Sequence, residues 1–389
     1  MKLIVNLLFS ILLCSCMNQR ENQELNLIHI NVDDSPKEVM LSEIIDSIKI
    51  IPLETSEKIL LGDISSIGYD EGKYFIQNGY DRLIYIFNTN GQFERQLVYK
   101  GNGPGEIQFP EDYTLDKINK EVWLSNNNNF MRYDYNGSYL GKREYSLSFS
   151  DFCIDNKGII YYYTAKTDNA HIQDGFLTGD LTAQNQNGEK QTWFKSKLVG
   201  YYKPGDAITT YSSTHPFCVQ EDGSITFYYT FNDTIYSIKN NKKIEPKYCI
   251  HLGKNSIPTN LLNNMPGIDI KKYVQSNADL RWLVNNVFEN NAYLYFTYLT
   301  GFEKSYTVIY NKKNRKTTNM YLTDDLFGSQ WLKIKDCNNN YFIGYLTAYD
   351  MKINDKLSSY VNEETLLMLK KLSPEDNPVI VEFTIKENI

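Results

Sequence analysis

Residues 82–125 read RLIYIFNTNGQFERQLVYKGNGPGEIQFPEDYTLDKINKEVWLS, and their pattern decides the fold. Ile84-Tyr85-Ile86-Phe87 is a β-branched and aromatic run, Asn88-Thr89-Asn90-Gly91 is turn chemistry, and residues 92–98 form a second run. Two such runs joined by an Asn/Gly turn make a β-hairpin. Gly101-Asn102-Gly103-Pro104-Gly105-Glu106 follows. Glycine tolerates positive φ and proline presets its own, so the chain turns a tight corner there. The corner lacks the lysine and Ser/Thr of a phosphate-cradling loop, and no helical pattern follows it. It therefore reads as the link from the outer strand of one sheet to the inner strand of the next.

The strand pair beyond the corner returns along the chain. Segments 64–69 with 73–76, 113–116 with 121–124, 152–154 with 159–164, 217–219 with 225–230, 287–288 with 293–296 and 334–337 with 341–343 repeat it. The clearest internal match sets 152–164 against 217–230, one residue of turn length apart. Repeats at a spacing of roughly 40–70 residues predict an all-β fold, a six-bladed β-propeller with unequal insertions over residues 41–389. The last strand of the chain is residues 379–385, and an open edge there would pair promiscuously. Ile48-Lys49-Ile50-Ile51-Pro52-Leu53 is the candidate outer strand that closes the ring. Two small helical insertions are expected. One lies within 257–283, and the other follows an N-cap at Asn362, with acidic residues in its first turn and Pro374 beyond its end.

KGNGPGEIQFP, at 100–110, and the short strand after it resemble the joint between blades in the six-bladed β-propeller lipoproteins of Gram-negative gut bacteria, within the NHL/TolB-like superfamily. The resemblance runs from Ile50 to Val381 and implies the propeller fold. The family's biochemical roles are largely undefined, so it implies little chemistry.

Residues 1–16 read as a lipoprotein signal peptide. An apolar run from Leu3 to Leu13 is too short to span a bilayer as a mature helix, and Leu13-Cys14-Ser15-Cys16 resembles a lipobox. Cys16 is the expected lipidated N-terminus. Cys14 fits less well, because Leu13 would stand where a small residue is wanted. Residues 17–40, polar at their start, read as a tether. The expected location is the outer membrane, facing the periplasm or the cell surface.

A net charge of −7 with no basic tract argues against a nucleic-acid partner. Of the six cysteines, Cys153, Cys218, Cys249 and Cys337 lie beyond the signal, and no CxxC pair supports a zinc ribbon. Cys153 and Cys218 sit at equivalent inner-strand positions and read as buried thiols, a disulfide being the alternative. The histidines show no HxH, HExxH or HxxE spacing, so no metal site is expected from them. Sialidase boxes and a GxSxG elbow are absent. Calcium held by dispersed carboxylates stays open, and no other cofactor is evident.

Ligands of propellers sit where outer-to-inner connections gather around the channel. That geometry selects Glu106, Glu111, Tyr211, His215, Arg281, Trp282 and Trp331 as candidate ligand-binding residues. Exposed Trp and Tyr stack on sugars or anchor proteins, whereas buried ones plug the core between blades. Asp46-Ser47-Ile48 and Asp233-Thr234-Ile235 resemble O-glycosylation sites of exported proteins of gut commensals, which makes Ser47 and Thr234 candidate acceptors. The expectation is a lipid-anchored binding or scaffolding module for a protein or glycan, with no catalytic residue assigned. A calcium-dependent hydrolase or lyase acting on a saccharide or lactone is the alternative, and a periplasmic accessory to a membrane receptor is a third reading.

Overall fold

The structure, a computed structural model, describes residues 27–165, 179–195, 215–220, 222–239, 242–258, 267–328 and 332–389. Six sheets form six blades of a β-propeller, each antiparallel from its innermost to its fourth strand. Blade 1 is Ile64–Asp70, Lys73–Asn78, Ile84–Asn88 and Phe93–Gln96. Blade 2 is Pro110–Asp116, Glu121–Asn126, Asn129–Asp134 and Tyr139–Glu144, and blade 3 is Asp151–Ile154, Ile160–Tyr163, Gly179–Gln184 and Lys190–Lys195. Blade 4 is Phe217–Val219, Ile225–Phe227, Thr234–Lys239 and Lys243–His251. Blade 5 is Arg281–Glu289, Tyr293–Thr300, Lys304–Asn311 and Lys316–Thr323. The middle strands are buried on both faces, between neighbouring blades, and so read as near-continuous apolar runs such as IYYY at Ile160–Tyr163. Outer strands such as Tyr139–Glu144 face water and are polar.

Blade 6 closes the ring. Lys333–Cys337, Phe342–Leu346 and Val379–Ile385 come from the end of the chain, and Ile45–Pro52 adds the outer strand. Ile51 pairs with Ile380, and Ile50 with Val381. Because alternate residues face opposite sides of a strand, Ile51 enters the core shared with blade 1 while Ile50 enters the core shared with blade 5.

The described part of the segment read as a tether, 27–40, lies on the propeller instead. Ile28–Asn31 runs parallel to the outer strand of blade 4, and Lys37–Met40 runs parallel to that of blade 5. A helical turn, Leu41–Ile44, then leads into blade 6. The reason is burial: Ile30 and Val32 are inside while His29 and Asn31 face out. The N-terminal strap thus belts three consecutive blades.

The helical insertions are shorter than their sequence windows. Within 257–283 the helix is Gly267–Gln275, and its buried Ile270 and Val274 pack on Phe231, Ile257 and Trp282. From Arg281 onward the chain is already blade 5, where Trp282–Val284 and Val287–Glu289 are buried and Asn285 and Asn286 are half-buried. The second helix is Glu363–Leu369. Asn362 Oδ1 accepts the Thr365 N–H at 2.8 Å, the N-cap anticipated from sequence, and Leu369 docks in the blade 5–blade 6 core.

Candidate functional site

In a four-stranded antiparallel blade the outer-to-inner connections and the second-to-third turns share one end of the propeller. That face opens into a central channel of about 940 Å³, lined by inner strands of blades 1, 2, 3, 4 and 6. The innermost strands are not regular. Register shifts fall between Ile64 and Ser66, Pro110 and Tyr113, and Ile334 and Asp336, with two more in blade 5. Such bulges turn a side chain out of the ladder.

Carboxylates make up much of the channel wall. Asp112, Asp151 and Asp336 line the channel from blades 2, 3 and 6. Each carboxylate accepts the next residue's backbone N–H, from Tyr113 at 2.9 Å, Phe152 at 2.6 Å and Cys337 at 2.8 Å. Asn285 does the same in blade 5, with Asn286 at 2.9 Å. This local bond is what short acidic and amide side chains do at irregular backbone.

Asp112 and Asp151 also hydrogen-bond one another. Burial raises the pKa of both, and the neighbouring Asp112 charge pushes Asp151 further up. Two carboxyls in contact cannot both ionise cheaply, so the pair holds a proton between them. Cations stand nearby. Lys335, whose ammonium donates to Ser65 O at 3.0 Å, has its pKa lowered by burial. Arg82 Nη1 donates to Ser65 Oγ at 2.6 Å. His215 is held neutral by burial, with the Lys335 charge also against protonation, and its pKa falls to about 3. The channel thus offers a shared proton, acceptor oxygens and fixed cations in one space, a set able to bind a hydroxyl-rich or peptide-like ligand.

The sequence candidates divide. Glu111 and His215 line the channel. Glu106 does not, because its carboxylate folds back onto its own corner and accepts the Gly103 N–H at 2.8 Å. Gly105 sits there at φ +77°, as the corner requires. Arg281 and Trp282 are structural. Trp282 is fully buried among Phe231, Ile257 and Ile270, with its indole N–H donating to Gly301 O at 2.6 Å. Arg281 donates to the carbonyls of Asp33, Leu252 and Asp34, which pins the strap against blade 5. Replacing Arg281 by methionine is expected to lower stability by about 2–3 kcal/mol, since three carbonyls lose a charged donor. A denaturant melt checks it, and an unchanged midpoint refutes it. Tyr211, Trp331 and Cys16 lie outside the described residues.

Ser47 is exposed on the closing strand, its hydroxyl 2.7 Å from that of Thr384. Thr234 is half-buried and donates to Asp233 Oδ1 at 2.9 Å. Cys153, Cys218 and Cys337 are buried thiols, and the close neighbour of Cys218 Sγ is Cys337 Sγ at 3.3 Å. The aspartates were legible only as an aspartate just before the inner-strand apolar residue, in Asp112-Tyr113, Asp151-Phe152 and Asp336-Cys337.

Residues 25–384 match the profile of DUF4934, a domain of unknown function. The chain belongs to the DUF4934 family. A crystal structure of a candidate exported protein from Bacteroides fragilis NCTC 9343 is similar to this DUF4934 propeller. It covers 92% of this chain and 99% of its own, with 17% identity and a TM-score of 0.71. A DUF4221 family member from Bacteroides vulgatus aligns over 88% of this chain and 97% of its own, with 11% identity and a TM-score of 0.53. These likenesses show a shared fold. A virginiamycin B lyase from Staphylococcus aureus aligns at a TM-score of 0.36 over 70% of this chain and 73% of its own, at 14% identity, too weak a likeness to carry chemistry. No curated protein matches the DUF4934 chain.

Proposed function

We propose that this protein is a lipid-anchored binding module of the cell envelope that holds a polar ligand, a glycan strand or a peptide segment, at the mouth of its channel. One observation carries the reading. Tyr80, Tyr99, Phe109 and Tyr349, four of its exposed aromatic residues, all sit in loops of the face onto which the polar channel opens. Exposed rings above a hydrogen-bonding cavity supply stacking faces and directional contacts together. Cys16 supplies the anchor. Among the described residues no helix is long and apolar enough to cross a membrane, which fits attachment by lipid. The candidate exported protein from Bacteroides fragilis supports an envelope location.

The Asp112–Asp151 pair favours a second reading. A carboxyl whose hold on its proton is strengthened by burial and a neighbouring carboxylate is suited to general acid catalysis, as in a hydrolase or lyase acting on a saccharide or lactone. Calcium would be its cofactor, with those aspartates as ligands in place of the shared proton.

The test is thermal melting of the mature chain against a panel of neutral and acidic oligosaccharides and extended peptides, with and without chelator. One class is expected to raise the wild-type melting temperature, indifferent to chelator. That shift should disappear in Tyr80→Ala/Tyr349→Ala and in Asp112→Asn/Asp151→Asn. Silence across both classes overturns the binding reading, and turnover that needs calcium selects the enzyme.

A further inference from the structure

We propose that His29, Cys249 and His251 form a transition-metal site that fastens the N-terminal strap to blade 4, away from the channel and independent of its ligand. Ile28–Asn31 lies parallel to Lys243–His251, with His29 beside Cys249 and Asn31 beside His251. Alternate residues of a strand share a face. Tyr248, Ile250 and Ile30 therefore point into the core, while Cys249, His251 and His29 point outward together.

The geometry already converges. His29 Nδ1 and His251 Nε2 are 2.9 Å apart, and they and the Cys249 sulfur all lie within 4.8 Å of one another. The two rings are within 8° of parallel, with centroids 5.2 Å apart. A nitrogen–nitrogen contact of 2.9 Å at that centroid separation sets the imidazoles edge to edge, their nitrogens joined by a hydrogen bond that an ion would replace. With metal–nitrogen bonds of about 2.0–2.1 Å and a metal–sulfur bond of about 2.3 Å, a tetrahedral ion needs its ligand atoms roughly 3.3–3.6 Å apart. Side-chain rotations that move the ligand atoms by about 1–1.5 Å supply that separation.

The donor set selects the ion. Two imidazoles and a thiolate suit zinc, cobalt, nickel or copper rather than calcium or magnesium, which prefer oxygen. Supporting contacts stand behind the cysteine as well. Thr234 hydrogen-bonds Cys249 and donates to Asp233 Oδ1 at 2.9 Å, which orients the thiol and places a negative charge beside it. Binding exchanges the thiol proton, released to solvent, for the sulfur–metal bond. The fourth position opens to solvent, since both histidines are exposed. Residues 29 and 249–251 are remote in sequence, which is why spacing rules applied to a single segment pass over the site.

The experiment is cobalt(II) titration of the chelator-stripped mature chain, followed by absorption. Expected are one equivalent bound and a thiolate-to-cobalt charge-transfer band that zinc(II) bleaches. Cys249→Ser should abolish the band, and His29→Gln or His251→Gln should each weaken binding about 100-fold. Circular dichroism of each variant verifies that it is folded. Sub-stoichiometric binding, or a band that survives both Cys249→Ser and His29→Gln in folded protein, overturns the proposal.

Discussion

Deleting residues 45–53 is expected to abolish the single cooperative unfolding transition of this propeller. The deletion removes the outer strand of blade 6 and leaves Val379–Ile385 as an unpaired edge. It also removes Ile45, Ile50, Ile51 and Leu53, all buried. At about 1.5–3 kcal/mol for each buried aliphatic side chain, the loss is roughly 6–12 kcal/mol, as large as the whole stability of an ordinary domain. The damage reaches both neighbours, because Ile50 and Ile51 serve different interblade cores. Asn377 keeps its partners, which lie beyond the deletion, but loses the strand that leads the chain to them. Its side chain donates to the carbonyls of Glu54 and Ile59 and accepts the Leu61 N–H at 2.6 Å, which fixes the crossing from blade 6 to blade 1. Moving residues 40–55 to the end of the chain through a flexible linker should restore a sharp melt. A deletion that still melts in one sharp calorimetric transition sinks the clasp as the closing device.

That closing strand was legible because Ile48-Lys49-Ile50-Ile51-Pro52-Leu53 is apolar and a ring must end somewhere. The repeats were legible for a related reason: middle strands sandwiched between blades carry unbroken apolar runs, and Asn/Gly turns punctuate them. The strap was not. Its strands are four residues each, Ile28–Asn31 and Lys37–Met40, and they pair in parallel with partners some 220 and 283 residues away. A short alternating segment carries no sign of which edge it will cover. The channel shows the same limit. Glu111 and His215 could be placed because they adjoin outer-to-inner connections, but Asp112 sits within a bulge, and bulges are set by tertiary crowding of inner strands rather than by local composition. Arg281 looked like a ligand cation on a loop. Only the strap's return to blade 5 reveals that its donors serve the backbone carbonyls of Asp33 and Asp34.

Glu289 carries the last large effect. It ends the inner strand of blade 5, and its carboxylate has no solvent exposure. It accepts from Tyr248 OH at 2.7 Å and from Thr226 Oγ1, and it pairs with Lys247 at 2.8 Å and with Lys312 at 2.5 Å. Its backbone carbonyl meets the thiols of Cys218 at 3.4 Å and Cys337 at 3.2 Å, so one residue ties blades 4, 5 and 6 together. Burial alone would raise its pKa, but the two ammonium groups dominate and hold it at about 2, below the ordinary 4.5. A carboxylate whose folded pKa is depressed stabilises the fold above its unfolded pKa. That contribution is then lost as pH falls from about 4.5 through about 2, and it amounts to about 3 kcal/mol. Removing one partner of a buried ion pair costs about 3–5 kcal/mol, and the lower end applies because both lysines reach solvent. Glu289→Gln is therefore expected to melt about 4 °C lower at pH 7, taking an unfolding entropy of about 2.1 cal/mol/K per residue. Because the wild type loses the same charge on acidification, the two proteins should converge in stability as pH approaches about 2. Parallel denaturant melts of both proteins across that range measure the gap. A gap that is constant with pH, or absent at pH 7, would show that the carboxylate's charge does not hold these three blades together.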